Sequence, residues 1–320
     1  MSLFSKLEKF YRDTLFSRHD SDGTIFYFSS EDFAGLIRES YSFKTGRGDT
    51  LQGYLYSYDS ALEDRLVVFD HGMGAGHRAY MREIEMLARH GYTVFAYDHT
   101  GCTESEGEGI RGFAGSLADL DWALTAIKGD PRFADKKISV VGHSWGGFST
   151  LNIAAYHPDV VHIVALSGFT SVKRMQAQLI PAPLFPLRRR LFEIEREANP
   201  SYVNAEAEES LSDTKANVLV IHSKDDKTVK YTHFKRLYKK LSGKKNIRFM
   251  LLNGKNHNPN FSGSALKLMT EFFSALAKKK KCGELDTEEK RAAFISSYDW
   301  WAMTEQDESV WSEIFYTLSL

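Results

Sequence analysis

Between residues 39 and 280, short apolar runs alternate with longer stretches in which apolar residues recur at helical spacing. Runs that are apolar at successive positions suit strands covered on both faces, so the alternation predicts a mostly parallel sheet with helices packed against it. Eight strands are predicted, near 40–45, 52–58, 66–69, 93–97, 138–141, 163–166, 218–221 and 248–252. Only 46–51, with Gly46, Gly48 and Asp49, separates the first two, which are therefore expected to form an antiparallel hairpin at one edge. Helices expected over 78–90, 115–128, 146–157, 231–241 and 263–280 supply the crossovers and close at Gly or Pro signals.

Three segments lie outside this core, which is assigned to 39–168 and 217–282. Residues 1–38 open with a helical stripe of Leu3, Leu7, Tyr11 and Leu15. Residues 169–216 exceed the dozen or so residues of a simple crossover and carry Pro181, Pro183 and Pro186 ahead of a charged helical run, 187–198. They are expected to form a small helical cap over the carboxyl ends of the strands, as one wall of a pocket. Residues 283–320 hold nine acidic against two basic residues and two helical stripes, Phe294 with Tyr298 and Trp301, then Val310 with Ile314 and Leu318. Asp286 with Glu289, and Thr304 with Asp307, resemble helix starts. Docking of these helices on their own domain is the expectation, with a homo-oligomer through them as the alternative.

Composition narrows the possible functions. In 320 residues, 41 Lys and Arg face 42 Asp and Glu, a net charge of −1 that offers no global field for nucleic acid or an anionic membrane. Charges interrupt every apolar run at the amino terminus, and no run of about 18 uncharged apolar residues occurs, so neither a signal peptide nor stable membrane insertion is expected. Cys102 and Cys282 show no pairing or metal-ligand pattern, which suits a cytoplasmic setting.

The strand at 138–141 runs straight into Gly142-His-Ser-Trp-Gly146 and then a helical stretch, the context of a nucleophile elbow. Glycines at both ends permit the tight turn that lifts the Ser144 hydroxyl clear, beside the free N–H groups of a helix start. A serine needs a base, and the base needs a group to fix its tautomer. Just past the seventh strand stand Asp225 and Asp226, and just past the eighth stands His257, in the chain order serine, acid, histidine. The two aspartates compete for the third role.

On these residues the chain resembles serine hydrolases of the α/β-hydrolase fold, in the group that joins bacterial lysophospholipase-like and serine-aminopeptidase-like proteins. The group's H-G-x-x-D-x-x-V pattern falls on His222, Ser223, Asp226 and Val229, which implies Asp226 over Asp225. Asp70-His-Gly-Met-Gly-Ala-Gly-His77 resembles the group's H-G-x-G loop, which implies that the N–H groups of Met73 and Trp145 form an oxyanion hole. Asp98, Gly101 and Ser105 match a further loop, D-x-R-G-x-G-x-S, while Thr100, Cys102 and Thr103 depart from it.

The expectation is an eight-stranded α/β-hydrolase sheet with a helical cap and a C-terminal helical extension. Catalytic Ser144, Asp226 and His257 would cleave a carboxylic ester of a small-molecule acyl substrate through an acyl-enzyme, with no cofactor and no metal. A serine aminopeptidase or amidase is the alternative, with Glu193, Glu195, Glu206, Glu208 or Glu209 of the cap binding the substrate amine; a non-catalytic scaffold is another. His71, His77, His99, His143 and His222 are read as loop supports, Asp70 and Asp98 as backbone anchors, Cys102 as a loop thiol, and Arg188, Arg189 and Arg190 as a solvated helix face.

Overall fold

A computed structural model describes residues 3–74 and 76–320; Met1, Ser2, the Leu3 side chain, and Ala75 of the 70–77 loop lie outside the described residues. The strands are β1 (Ile37–Ser40), β2 (Phe43–Lys44), β3 (Thr50–Leu51), β4 (Gly53–Ser57), β5 (Arg65–Asp70), β6 (Thr93–Tyr97), β7 (Lys137–His143), β8 (His162–Leu166), β9 (Asn217–Ser223) and β10 (Ile247–Leu252). The helices are α1 (Leu3–Leu15), α2 (Met81–Arg89), α3 (Gly115–Gly129), α4 (Trp145–Asn152), α5 (Val172–Leu179), α6 (Phe185–Ala198), α7 (Ala207–Ser210), α8 (Thr232–Leu241), α9 (Gly263–Lys281), α10 (Glu288–Ser296), α11 (Trp300–Met303) and α12 (Glu308–Ser319).

Eight strands form one sheet in the order β1-β4-β6-β5-β7-β8-β9-β10. β4 is antiparallel to both neighbours, and the pairs from β6 through β10 are parallel. The edge differs from the expected simple hairpin. The strand predicted over 40–45 is two strands: β1 pairs with β4 in the main sheet, while β2 and β3 form a separate ribbon around the 46–51 turn.

Successive residues of the apolar runs point to opposite faces, which is why the runs lack a polar side. Leu66 and Val68 join α3, α4 and α8 in one core; Val67 and Phe69 join α2 and α12 in the other. The stripe Val310, Ile314 and Leu318 of α12, with Trp311, is buried on the second face. The carboxyl-terminal helices thus complete a core layer of their own chain and leave Trp301 and Tyr316 outward.

The extension holds three helices rather than two. The chain breaks between α10 and α11, so Trp300 rather than Trp301 continues the stripe of Phe294 and Tyr298 around Phe272, with ring centroids 5.0 Å apart for Phe272 and Trp300. Trp301 turns instead to Phe28 and Phe33. The starts also differ: Thr287 caps α10 and Asp307 caps α12, each one to three residues beyond the expected Asp286 and Thr304. A side-chain oxygen must reach the second or third helical N–H, and these two positions meet that condition.

At the other end, Tyr11 and Leu15 of α1 are buried. The Tyr11 hydroxyl donates to Glu195 of α6 at 2.7 Å, and Glu195 also accepts from the Phe113 N–H at 2.9 Å. One buried carboxylate therefore ties the first helix, the cap and the loop before α3 together.

Candidate active site

The elbow follows β7. Ser144 has φ 57° and ψ −110°, a strained conformation for a residue with a side chain. A Cβ on Gly142 would run into the Thr150 hydroxyl and the Gly146 carbonyl, and one on Gly146 into the Asp70 carbonyl, so both positions require glycine. The Ser144 N–H bonds the Leu166 carbonyl of β8 at 2.8 Å, which fixes the turn to the sheet. The hydroxyl then stands at the start of α4, whose first residue is Trp145.

The loops after β9 and β10 bring the other two groups to this point. His257 Nε2 lies 2.7 Å from Ser144 Oγ, and its Nδ1 lies 2.8 Å from Asp226 Oδ2. A carboxylate only accepts, so Nδ1 carries the proton and Nε2 faces the serine hydroxyl as acceptor. Asp226 also accepts from the N–H groups of Thr228 and Val229, at 2.8 and 3.0 Å. Burial pushes its carboxyl up, but the His257 hydrogen bond and charge and the backbone donors outweigh it, leaving a net depression.

Asp225 is a brace. It accepts from the Ser223 hydroxyl and from the N–H groups of Gly254 and Asn256, joining the loops that carry Asp226 and His257. Of the two oxyanion candidates, Met73 lines a cavity together with Ser144, and Trp145 opens α4 while its indole donates to the Phe113 carbonyl at 2.7 Å.

The surrounding histidines hold loops: His71 bonds the Gly72 carbonyl and the His99 N–H, and His77 bonds Asp98 and Tyr56. His143 Nε2 is 2.8 Å from the His257 carbonyl, and its Nδ1 is 2.8 Å from the Tyr80 hydroxyl. Burial, and then His257, lower His143 to about 3, so it is neutral; Nε2–H donates to the carbonyl and Nδ1 accepts from Tyr80. The Tyr80 oxygen in turn accepts from the Gly72 N–H at 3.1 Å. A continuous chain of hydrogen bonds therefore runs from the Gly72 loop through Tyr80 and His143 to the backbone of the histidine facing Ser144.

Beneath it, His99 lies between Asp70 and Asp119, which hold it up at about 9 against its burial. Asp70 is anchored through side chains, those of Tyr97, Ser149 and His99, rather than through backbone as expected. Asp98 does bind backbone, at the N–H of His77 and of Glu104. His222 donates to the Val229 carbonyl, and Cys102 is a buried thiol pushed well up, first by burial.

A cavity of about 410 Å³ opens at Ser144 and His257. No residue of 169–216 is among the described residues lining it, so the cap is not its wall. The cap's acids are engaged elsewhere: Glu193 with Arg196, Glu195 with Tyr11, and Glu206 and Glu208 with Arg174. Glu209 lines a separate surface hollow, and Arg188 bonds the Ile180 carbonyl. Helix α6 of the cap packs against α1, because its apolar stripe of Leu187, Leu191 and Ile194 is buried in the first core with Tyr11 and Leu15.

The walls come instead from segments that the motifs did not mark: Phe26 and Phe28 before β1, Tyr80 and Glu83 near α2, and α9 with α11. Glu83 has a sequence signal, since Leu87 of the buried stripe lies four positions on. Tyr80 has none.

Residues 62–200 match the family described as serine aminopeptidase, S33. A stretch of 105 residues is 30% identical to the monoglyceride lipase of Rattus norvegicus, covering 32% of this chain and 34% of the lipase, about a third of that relative's length. An esterase of Pyrococcus furiosus superposes with a TM-score of 0.60 at 18% identity, over 83% of this chain and 97% of its own. The α/β hydrolase GrgF of a Penicillium species superposes at 0.53 and 17% identity, over 81% and 99%. This chain has the α/β-hydrolase fold. Within that fold the family match agrees with the serine-aminopeptidase-like group that the motifs resemble, and the elbow of this chain lies inside the matched residues.

Proposed function

We propose that this α/β-hydrolase is a serine esterase that cleaves a carboxylic ester through an acyl-enzyme. The observation that carries the reading is the pair of short hydrogen bonds linking Asp226, His257 and Ser144, the last two lining a largely apolar cavity. Ser144 Oγ attacks the ester carbonyl as its proton passes to His257 Nε2, and Asp226 stabilises the imidazolium. N–H groups of Met73 and Trp145 face the oxyanion. Collapse returns that proton to the departing alcohol; water then attacks the acyl-serine, again losing its proton to His257, and releases the acid and Ser144. The scheme balances without a cofactor or metal.

A lipase and an esterase among the similar proteins support an ester substrate. The aminopeptidase reading draws on the family's description and on one carboxyl, Glu83, which lines the cavity in place of the cap acids. Burial lifts Glu83 to about 7, which weakens it as a partner for a substrate ammonium and favours the ester. A cytoplasmic setting is supported by two free thiols, one buried and one exposed. Among the described residues no helix is long and apolar enough to cross a membrane. A homo-oligomer through the carboxyl-terminal helices would use the outward Trp301 and Tyr316.

The test is initial rates on nitrophenyl esters and an aminoacyl nitroanilide, with fluorophosphonate labelling, for wild type, Ser144→Ala and Asp226→Asn. Ester turnover and labelling are expected to vanish in Ser144→Ala, and kcat to fall about 10⁴-fold in Asp226→Asn. Anilide turnover above ester turnover selects the peptidase, and folded protein that takes no label at Ser144 selects the scaffold.

A further inference from the structure

The cavity at Ser144 has a feature that the esterase reading does not use: much of its apolar lining comes from segments near the two ends of the chain. From the amino-terminal side come Phe26 and Phe28, 5.0 Å apart at their ring centroids. From the carboxyl-terminal side come Met269 and Phe272 of α9 and Trp300 and Met303 of α11. The two sides meet where Phe26 approaches Trp300 at 5.8 Å. Such a surface of aromatic rings and thioethers suits a flexible hydrocarbon, because it offers dispersion contact without a fixed polar demand.

Several polar groups on these walls bond to protein partners, while Arg82 Nε is buried without a hydrogen-bond partner. Asn260 donates to Glu83 at 2.8 Å and to Gln306 at 2.9 Å. The Arg78 guanidinium donates to the Tyr27 carbonyl, and that of Arg82 lies over the Trp301 ring, 4.5 Å from its centroid. The same lining holds Ser144, His257, Gly72 and Met73, the groups that would meet the ester itself.

We infer that this cavity is an acyl-chain subsite for a medium-chain fatty ester, and that α9 and α11, not the cap, set the chain length accepted. The inference rests on the serine-esterase reading and adds the substrate class to it. Met269 is the measuring residue: it is half-buried on α9, faces the cavity, and has an unbranched side chain that a larger group can replace.

The experiment compares kcat/KM on nitrophenyl acetate, butyrate, octanoate and laurate for wild type, Met269→Trp and, in the cap, Phe185→Ala. Wild type is expected to prefer octanoate to acetate. Met269→Trp should lower the octanoate-to-acetate ratio at least tenfold, while Phe185→Ala keeps the wild-type ratio. A ratio that responds to Phe185→Ala and not to Met269→Trp overturns the inference, as does an optimum set by the alcohol in a matched series of alkyl acetates. Calorimetric titration of free octanoate into wild type and Met269→Trp supplies a readout that needs no turnover: affinity should drop about tenfold in the variant, and equal affinity overturns the subsite. Loss of Ser144 dependence, with octanoate binding still sensitive to Met269→Trp, would sink the esterase reading alone.

Discussion

Two neighbouring aspartates show how far a residue's role depends on its contacts. Asp225 and Asp226 differ by one position and share a loop, yet Asp226 meets His257 and Asp225 meets backbone N–H groups. The neutral His143 has a comparable supporting role. It touches no position where a substrate would react, but it holds the backbone of His257 and, through Tyr80, the Gly72 loop. Tyr80→Phe leaves His143 Nδ1 and the Gly72 N–H without their partner. The variant is expected to lose about 1–3 kcal/mol of stability and about tenfold in kcat with a smaller change in KM. Thermal melts beside a kcat and KM split check this, and an unchanged kcat would reduce the chain of bonds to packing.

Among the elements, α12 makes the clearest energetic claim. Its stripe packs on β8 and β9, where it covers strand residues that would otherwise face water. Lys255 of the loop before His257 pairs with Asp307 at the start of this helix, at 2.6 Å. Ile314 is fully buried, so Ile314→Ala is expected to cost about 2–5 kcal/mol, read as a shift in the denaturant midpoint with an unchanged slope. A cost below about 0.5 kcal/mol, the level of a surface substitution, would mean that the helix is an appendage after all. The acidity of this segment, legible in the sequence, is met by basic partners such as Arg248 with Glu313 rather than left as a free acidic tail.

For the whole molecule, buried titratable groups set the pH range of stability. Burial lifts Glu83 and Glu195 from 4.5 to about 7, so the folded chain keeps protons that the unfolded chain releases, and stability falls as pH rises through that window. His99, raised from 6.5 to about 9 between two aspartates, adds a contribution that is full below 6.5 and lost as pH climbs through about 9. His71 and His143, lowered to about 3, act oppositely: their contribution is present above 6.5 and lost as pH falls. The melting temperature is expected to decline from weakly acidic toward alkaline pH. Glu195→Gln should gain on wild type between pH 5 and pH 8, and a constant difference across that range would refute the assignment.

The local and periodic features were legible in the sequence. Continuous apolar runs specify strands buried on both faces, and the elbow is legible because Gly142 and Gly146 are a local steric requirement of one tight turn. The order of Ser144, Asp226 and His257 is readable because each stands just past a strand, and parallel strands deliver such positions to one rim. The walls of the cavity were not readable. Phe26, Met269 and Trp300 lie on three separate segments, and each alone looks like an ordinary core residue; Glu83, on a fourth, has only its helical spacing from Leu87 to mark it as buried. An insertion at strand ends commonly covers the pocket, which is why the sequence points to the cap; here its apolar stripe is satisfied against α1 instead. Strand, turn and chain order follow from interactions between near neighbours, which the sequence contains. The surface that closes over Ser144 was decided by long-range packing, in which burial is shared among whichever apolar faces the folded sheet brings together.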